Sequence, residues 1–150
     1  MKNIEIRKAV KADAPTIIDF QLKMAKETED LELEKDTLSK GTEAVFNNDF
    51  ADYFVAVSNG EIVASLMITY EWSDWRNAMV SWIQSVFVIK EFRRKGVFAK
   101  MYNFVKDQVS NKQGFSGIRL YVDKSNKNAI ATYKDMGMDN QHYEMFEYFE

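Results

Sequence analysis

The sequence contains no cysteine and a single histidine. Without cysteine the chain has no disulfide, no thiol nucleophile and no cysteine-based metal site. One histidine, His142, is too few for a His-rich zinc site or a two-histidine motif. Enzymes that depend on a cysteine nucleophile or on a cysteine- or histidine-rich metal site are therefore excluded.

Long apolar runs and blocks of like charge are also missing. No run approaches the roughly 20 residues that a membrane-spanning helix needs. The first residues mix charged and apolar side chains, which is not the pattern of a signal peptide. The formal net charge is −3, and no charge block is long enough for a nucleic-acid arm. We therefore expect a cytoplasmic protein with no nucleic-acid and no membrane partner.

The composition that is present is typical of an ordinary globular protein. The 150 residues are 46% hydrophobic and 29% charged, and no repeat, linker or low-complexity tract divides them. This length suits one domain with a substantial core, so we expect residues 1–150 to form a single domain.

The most informative stretch is an apolar run followed by a basic turn and a helix. Residues 86–89 are apolar and mostly β-branched, and the turn after them contains Arg93, Arg94, Lys95 and Gly96. Beyond the glycine, apolar residues recur at helical spacing. The first N–H groups of such a helix have no intrahelical partner, and the positive end of its dipole lies beside them. This loop is therefore predicted to bind a phosphate or pyrophosphate.

The other patterns predict an α/β domain with a mixed sheet. Alternation indicates a first strand at residues 3–9, and Asp13 with Pro15 indicates the start of a helix that ends near residues 26–28. Asn59-Gly60 is typical of a two-residue hairpin turn. The remaining expected elements are strands at 52–57, 62–70, 79–88, 118–122 and 142–149 and helices at 36–46, 97–110 and from Asn126 to Gly137.

Two further groups of side chains allow more than one interpretation. The acidic segment 27–34 is either a solvated connection or a set of carboxylates lining the approach of a cationic substrate. The aromatic side chains of Tyr70, Trp72, Trp75 and Trp82 either pack a hairpin or, for Trp72 and Trp75, form walls that hold a cationic amine. His142 is expected to be a structural residue of the last strand.

Two short motifs resemble those of the GNAT acetyltransferases. The family's acetyl-CoA motif, Arg/Gln-x-x-Gly-x-Gly/Ala between a strand and a helix, is similar to Arg93, Gly96 and Phe98, with Phe98 in place of the second small residue. The family's second motif, Asn-x-x-Ala-x-x-x-Tyr-x-x-x-Gly-Phe, is matched by Asn126, Ala129, Tyr133, Gly137 and Met138. Either motif alone would be weak, but together in this structural context they are specific.

The resemblance implies a fold and an activity. The fold would be a mixed, mostly antiparallel sheet flanked by helices, with a strand-loop-helix acetyl-CoA site at its centre. The activity would be N-acetyl transfer from acetyl-CoA to the primary amine of a small molecule, by direct attack in a ternary complex. Alternatives are a non-catalytic domain that senses acyl-CoA, or acetylation of a protein or peptide amine. A homodimer is left open.

The resemblance also implies roles for individual residues. Tyr133 would protonate or hydrogen-bond the departing thiolate, since a phenol is protonated at neutral pH. Residues implied to bind acetyl-CoA are Val86, Phe87 and Val88 along pantetheine, the loop residues Arg93, Arg94, Lys95, Gly96, Val97, Phe98 and Ala99 around the pyrophosphate, and Asn126.

The acceptor side is less defined. Trp72, Trp75, Gln84 and Glu29 are the candidate acceptor residues. Gln84 stands where many family members carry a glutamate, and an amide cannot act as a base. The base is therefore unassigned, with Glu71, Asp74 and Glu29 as candidates expected in loops.

Overall fold

The computed structural model describes residues 3–150, which fall into two compact units. The first unit runs to Arg119 and the second comprises Leu120–Glu150. The first unit contains β1 (Ile4–Lys8), α1 (Ala14–Glu29), α2 (Lys35–Phe46), β2 (Ala51–Ser58), β3 (Glu61–Ser73), β4 (Ala78–Val88), α3 (Val97–Asn111) and β5 (Phe115–Leu120), whose last residue belongs to the second unit. The second unit contains α4 (Lys127–Asp135).

The five strands form one sheet in the order β1-β2-β3-β4-β5. The first three neighbouring pairs are antiparallel. The amide of Met79 donates to the carbonyl of Gly114 at 2.8 Å, so β4 and β5 start at the same edge of the sheet. Asn59 and Gly60 have φ angles of 51° and 80°, as the β2–β3 hairpin turn requires. The predicted mixed, mostly antiparallel sheet is confirmed.

Helices cover both faces of this sheet. On one face, Ile17 of α1 and Val45 of α2 pack with Tyr53 and Val55 of β2. On the other face, Phe54 contacts Phe104 of α3 at 5.6 Å between ring centroids. Successive strand residues point to opposite faces, so neighbouring residues of one strand serve two cores. Burying one large apolar side chain contributes about 1.5–3 kcal/mol, and both cores therefore hold the sheet in place.

Two predicted elements differ from the structure. β5 begins at Phe115, three residues before the predicted start. Among the described residues 136–150, none lies in a helix or strand, so the predicted closing strand at 142–149 and the role of His142 in it are wrong. An aromatic segment needs an adjacent strand for its backbone hydrogen bonds, and within the second unit Leu120 is the one described strand residue.

Asp13 stands at the N-cap position of α1, but its carboxylate does not cap the helix. A 3₁₀ turn at residues 11–13 runs into α1, so the chain is already helical at Asp13. The carboxylate instead accepts hydrogen bonds from the Arg7 guanidinium (2.7 and 3.1 Å) and the Val10 amide (2.8 Å). The hydrogen bond from Arg7 lowers the pKa of Asp13 below its usual value, and the Val10 amide adds to this.

Replacing Asp13 with Asn is expected to lower the free energy of unfolding at pH 7 by about 2 kcal/mol, because a hydrogen bond to a buried charged group is lost. A lowered folded-state pKa stabilises the protein above the unfolded-state pKa of about 4, and this stabilisation is lost as the pH falls through the folded-state pKa. Urea unfolding of both proteins at pH 7 and near pH 3 measures this.

A matched control is Asp19→Asn, which removes an exposed ion pair with Lys23 (2.7 Å) within α1. That variant should lose no more than about 0.5 kcal/mol at pH 7. Equal losses in the two variants, or a loss in Asp13→Asn that is no smaller near pH 3 than at pH 7, would contradict the assignment of Asp13 as a stabilising carboxylate.

Candidate functional site

A β-bulge interrupts β4 just before the basic loop. Ser65 pairs with Phe87 and Met67 with Gln84, so Ser85 and Val86 together face one residue of β3. Ser85 has a φ of 54°, which is uncommon for a residue with a side chain. A bulge bends its strand and re-aims the residues that follow.

The bulge lies where β4 extends past β5. From the Met79–Gly114 hydrogen bond, the six residues of β5 reach along β4 to about Gln84. Val86 to Val88 therefore lie beyond the end of β5 and form a backbone edge on the side where β5 would have continued, although the Val88 carbonyl already accepts a hydrogen bond from Arg93 Nε. Such an edge can accept a ligand as an added strand.

The basic loop, Arg93-Arg94-Lys95-Gly96, contains two left-handed residues. Arg94 has a φ of 60° and Gly96 a φ of 77°. Loops with residues of this kind turn successive backbone N–H groups toward one side and form an anion-binding concavity. Gly96 is also the N-cap of α3, whose first turn receives no hydrogen bond from a capping side chain. The first N–H groups of α3 are thus available to an anion beside the loop.

Arg93 fixes this loop to two other elements. Its Nε donates to the Val88 carbonyl at 2.7 Å and its Nη2 to the Glu27 carboxylate of α1 at 2.8 Å. The guanidinium also lies 5.4 Å from the centre of the Phe87 ring. Arg93 therefore bridges β4, the loop and α1, and its charge is paired with that of Glu27.

The other side chains of this region are either exposed or packed along α3. Arg94 and Lys95 are exposed, and Lys95 Nζ lies 5.5 Å from the centre of the Phe92 ring. Phe98 is half-buried and packs one helical turn along α3 against Tyr102, with ring centroids 6.4 Å apart. The large side chain in the second small-residue position thus runs along the helix.

A polar cluster lies on the face of the sheet that α1 and α2 cover. Gln84 Nε2 donates to Thr69 Oγ1 at 2.5 Å, and Trp82 Nε1 donates to the Glu71 carboxylate at 3.3 Å. Arg119 donates to the other Glu71 oxygen and forms an ion pair with it. Glu71 is thus a strand residue and not the loop residue that the sequence predicted, and both its oxygens already accept hydrogen bonds.

Of the other predicted acceptor residues, Trp72 follows Glu71 on β3 but points to the opposite face, and Trp75 lies in the β3–β4 turn. Trp72 and Trp75 are 56% and 92% exposed. Trp72 is five residues along β3 from Met67, the partner of Gln84, which is roughly 17 Å of strand. Glu29 is the exposed last residue of α1, and Asp74 lies in the β3–β4 turn as predicted. The structure therefore does not bring Trp72 or Trp75 together with Gln84.

In the second unit, α4 has the caps that the sequence predicted. The Asn126 side chain accepts a hydrogen bond from the Ala129 amide at 3.1 Å. Gly137, with a φ of 90°, follows the end of the helix. Tyr133 lines a small pocket of about 80 Å³ with the apolar side chains of Leu120 and Ile130. Burial raises the pKa of the Tyr133 phenol, so the group keeps its proton at neutral pH.

Sequence reasoning missed two features of the site. One is the Arg93–Glu27 ion pair, which joins residues 66 positions apart. The only sequence feature that indicated it was the opposite charge of the basic loop and the acidic segment. The bulge at Ser85 had no signal, because serine has no preference for a positive φ.

The fold and the loop together define an α/β protein with a helix N-terminus that can accept an anion, and comparison with known proteins defines it further. Residues 17–138 match the profile of the Acetyltransferase (GNAT) family. The match covers most of the chain, and the protein belongs to this family. Among curated proteins no match was found.

Solved structures agree with this assignment. A structure described as that of a possible acetyltransferase from Clostridium difficile 630 is 45% identical, with 98% of this chain and 97% of that chain covered and a TM-score of 0.91. A predicted acetyltransferase from Clostridium acetobutylicum, solved with acetyl-CoA, is 17% identical with a TM-score of 0.74 over 97% and 96% of the two chains. AAC(6')-Iy in complex with the bisubstrate analogue CoA-S-monomethyl-acetylneamine is 15% identical with a TM-score of 0.80 over 99% of each chain.

Family membership supports acetyl transfer as the general activity. No helix among residues 3–150 combines the length and apolar character needed to cross a membrane.

Proposed function

We propose that the protein is a cytoplasmic N-acetyltransferase of one domain, residues 1–150, that moves acetyl from acetyl-CoA to the primary amine of a small molecule. The amine attacks the thioester directly in a ternary complex. The observation that carries the proposal is the basic loop, in which two left-handed residues precede a helix N-terminus without a side-chain cap. Membership of the GNAT family supports the same activity.

The loop suits the CoA pyrophosphate in both shape and charge. In this proposal the amides from Arg94 to Ala99 bind the phosphate oxygens, and the exposed side chains of Arg94 and Lys95 add positive charge. A Cβ atom at Gly96 would meet no protein atom within 4 Å, so the backbone here faces open space. Two donors of Arg93 are already bonded to the Val88 carbonyl and the Glu27 carboxylate, so in this proposal Arg93 positions the loop.

The edge of β4 beyond the bulge is the proposed place for the pantetheine arm. The backbone groups of Val86, Phe87 and Val88 would pair with the amides of that arm as with an added strand, with the Val88 carbonyl shared with Arg93 Nε. This pairing would orient the thioester toward the polar cluster, because Gln84 precedes the bulge on the same strand.

Tyr133 is the proposed catalytic acid. Its phenol would donate a proton or hydrogen bond to the thiolate that leaves when the amine attacks. Asn126 caps α4 and, in this proposal, helps to position the cofactor.

The polar cluster is the proposed binding region for the acceptor amine, with Gln84 as its hydrogen-bonding group and Trp72, Trp75 and Glu29 as outlying contacts. Glu71 is held by Arg119 and Trp82, so an unassisted role as general base is not proposed for it. The amine would lose its proton to solvent, and positioning would supply most of the rate.

The Glu71 carboxylate, with both oxygens hydrogen-bonded, and the amide at Gln84 favour a second candidate function. It is a domain that binds acyl-CoA and senses it without turnover. Release of free thiol from acetyl-CoA separates the two. We expect release with at least one member of a panel of polyamines, amino acids, aminoglycosides and peptides, and CoA binding by calorimetry. Binding without release with any amine would favour the sensor, release with peptides alone would move the acceptor class to proteins, and failure to bind CoA would refute both functions.

A further inference from the structure

A larger cavity lies away from the loop and from the polar cluster. It measures about 250 Å³ and sits between the C-terminal half of α3 and the sheet, entirely within the first unit. About half of the residues that line it are aliphatic or carry phenyl rings, and the rings come from β2, α3 and β5: Phe54, Phe104 and Phe115. An apolar cavity of roughly 150 Å³ holds a benzene molecule, so this one has room for a ring with a short substituent.

The carboxylate in the cavity lining already has partners for both of its oxygens. Asp52 Oδ1 pairs with Lys8 Nζ at 2.9 Å, and its Oδ2 accepts a hydrogen bond from the Tyr70 hydroxyl at 2.5 Å. Burial and the bond to Asp52 raise the pKa of Tyr70, so the phenol stays a donor. A cationic ligand would therefore have to compete with Lys8 for Asp52.

The charge that remains is positive. Lys8 and Lys112 both line the cavity, and with Asp52 their formal charges sum to +1. The negative end of the α3 dipole offsets roughly half a charge at most, so an anion is still favoured. The Lys8 side chain is 65% exposed, and Lys112 is exposed with its Nζ 4.8 Å from the centre of the Phe115 ring. The cations thus stand at the mouth and the rings inside.

We propose that this cavity is a binding site for a small aromatic carboxylate of a single ring. The ring lies among Phe54, Phe104 and Phe115, and the carboxylate lies at the mouth beside Lys112, since Lys8 is paired with Asp52. An apolar body with one anionic end matches the arrangement of walls and charges.

The site is separate from the proposed acetyl-transfer site. Tyr70 and Ser81 line the cavity, whereas the next residue of each strand, Glu71 and Trp82, belongs to the polar cluster on the opposite face. Phe104 follows Gly96 by eight residues, about 12 Å along α3. Binding here therefore requires neither acetyl-CoA nor the acceptor.

Titration of the methyl-labelled full chain with phenylacetate, followed by NMR, tests the proposal. We expect saturable shifts at the lining methyl groups of Ile68, Val105 and Val109. Phenethylamine, which has the same ring but a positive charge, should bind at least about tenfold more weakly. No shift at about 10 mM phenylacetate, a concentration that would saturate a 1 mM site, would overturn the proposal, as would equal binding of the amine.

Two variants and a control locate the binding. Val109→Trp fills the half-buried rim of the cavity and should weaken phenylacetate binding at least about tenfold. Lys112→Gln, an exposed substitution with little risk to folding, should weaken it about fivefold. Lys106→Gln removes a charge from an exposed position of α3 outside the cavity lining and should leave binding unchanged. Unchanged binding in Lys112→Gln, or shifts centred on residues 93–98 instead, would refute the site.

Discussion

Replacing Tyr133 with Phe is expected to lower kcat about 100-fold or more and to leave the KM for acetyl-CoA within about threefold. The substitution removes one hydroxyl and keeps the ring in its pocket beside Leu120 and Ile130. In the proposed mechanism this hydroxyl acts on charge that develops at sulfur as the C–S bond breaks. Its loss therefore weakens the transition state far more than the ground state. Steady-state thiol release measures both constants.

The matched control is Tyr143→Phe, which removes a hydroxyl from an exposed tyrosine of the same unit. That variant should retain full activity. An equal fall in kcat in both variants would indicate a general effect on the second unit. A Tyr133→Phe enzyme with unchanged kcat would remove Tyr133 from the chemistry while leaving the proposed cofactor site intact.

Local sequence signals predicted most of the secondary structure, because its causes lie within a few residues of each element. The Asn59-Gly60 turn needs two positive φ angles, and these residues are the ones that tolerate them. The side-chain oxygen of Asn126 caps α4 by accepting a hydrogen bond from the backbone amide three residues later. The basic loop could be predicted because the positive φ before the helix favours glycine, and this preference is local to the residue.

The features that the sequence did not predict depend on contacts between distant segments. The left-handed conformation of Ser85 is set by pairing with β3, because the Ser85-Val86 sequence alone does not favour a bulge. The segment 142–149 is rich in aromatic residues, which favour strands, but a strand forms only against a partner. Asp13 has the right identity and position for an N-cap, yet Arg7 offers its carboxylate a charged partner and the carboxylate turns to it.

The acceptor side follows the same rule. Glu71 lies beside Trp82 only because β3 pairs with β4, and it meets Arg119 only because β5 adds to that sheet. A carboxylate with both oxygens engaged differs from the free loop carboxylate that the sequence predicted. The polar cluster that we propose for the acceptor therefore depends on three strands, none of which carries a diagnostic motif.

The second large effect concerns Gly96. Replacing it with Ala is expected to raise the Kd for CoA at least about tenfold. An alanine at a φ of 77° is strained by about 1–2 kcal/mol, and the loop relaxes by rotating the amides that we propose hold the pyrophosphate. The new methyl group also projects into the open space beside those amides, where the ligand would lie. Calorimetric titration with CoA measures the change in Kd.

Gly60→Ala is a closely matched control, because Gly60 has a φ of 80° and a Cβ there would likewise meet no atom within 4 Å. Both variants acquire the same backbone strain, offset in part because alanine loses less conformational freedom than glycine on folding. Each should therefore lose about 1 kcal/mol of unfolding free energy. Only Gly96→Ala should bind CoA more weakly, since Gly60 lies in the β2–β3 turn. Equal CoA affinity in the two variants would show that the backbone of the basic loop does not hold the cofactor, whereas a selective loss at Gly96 separates ligand binding from strain.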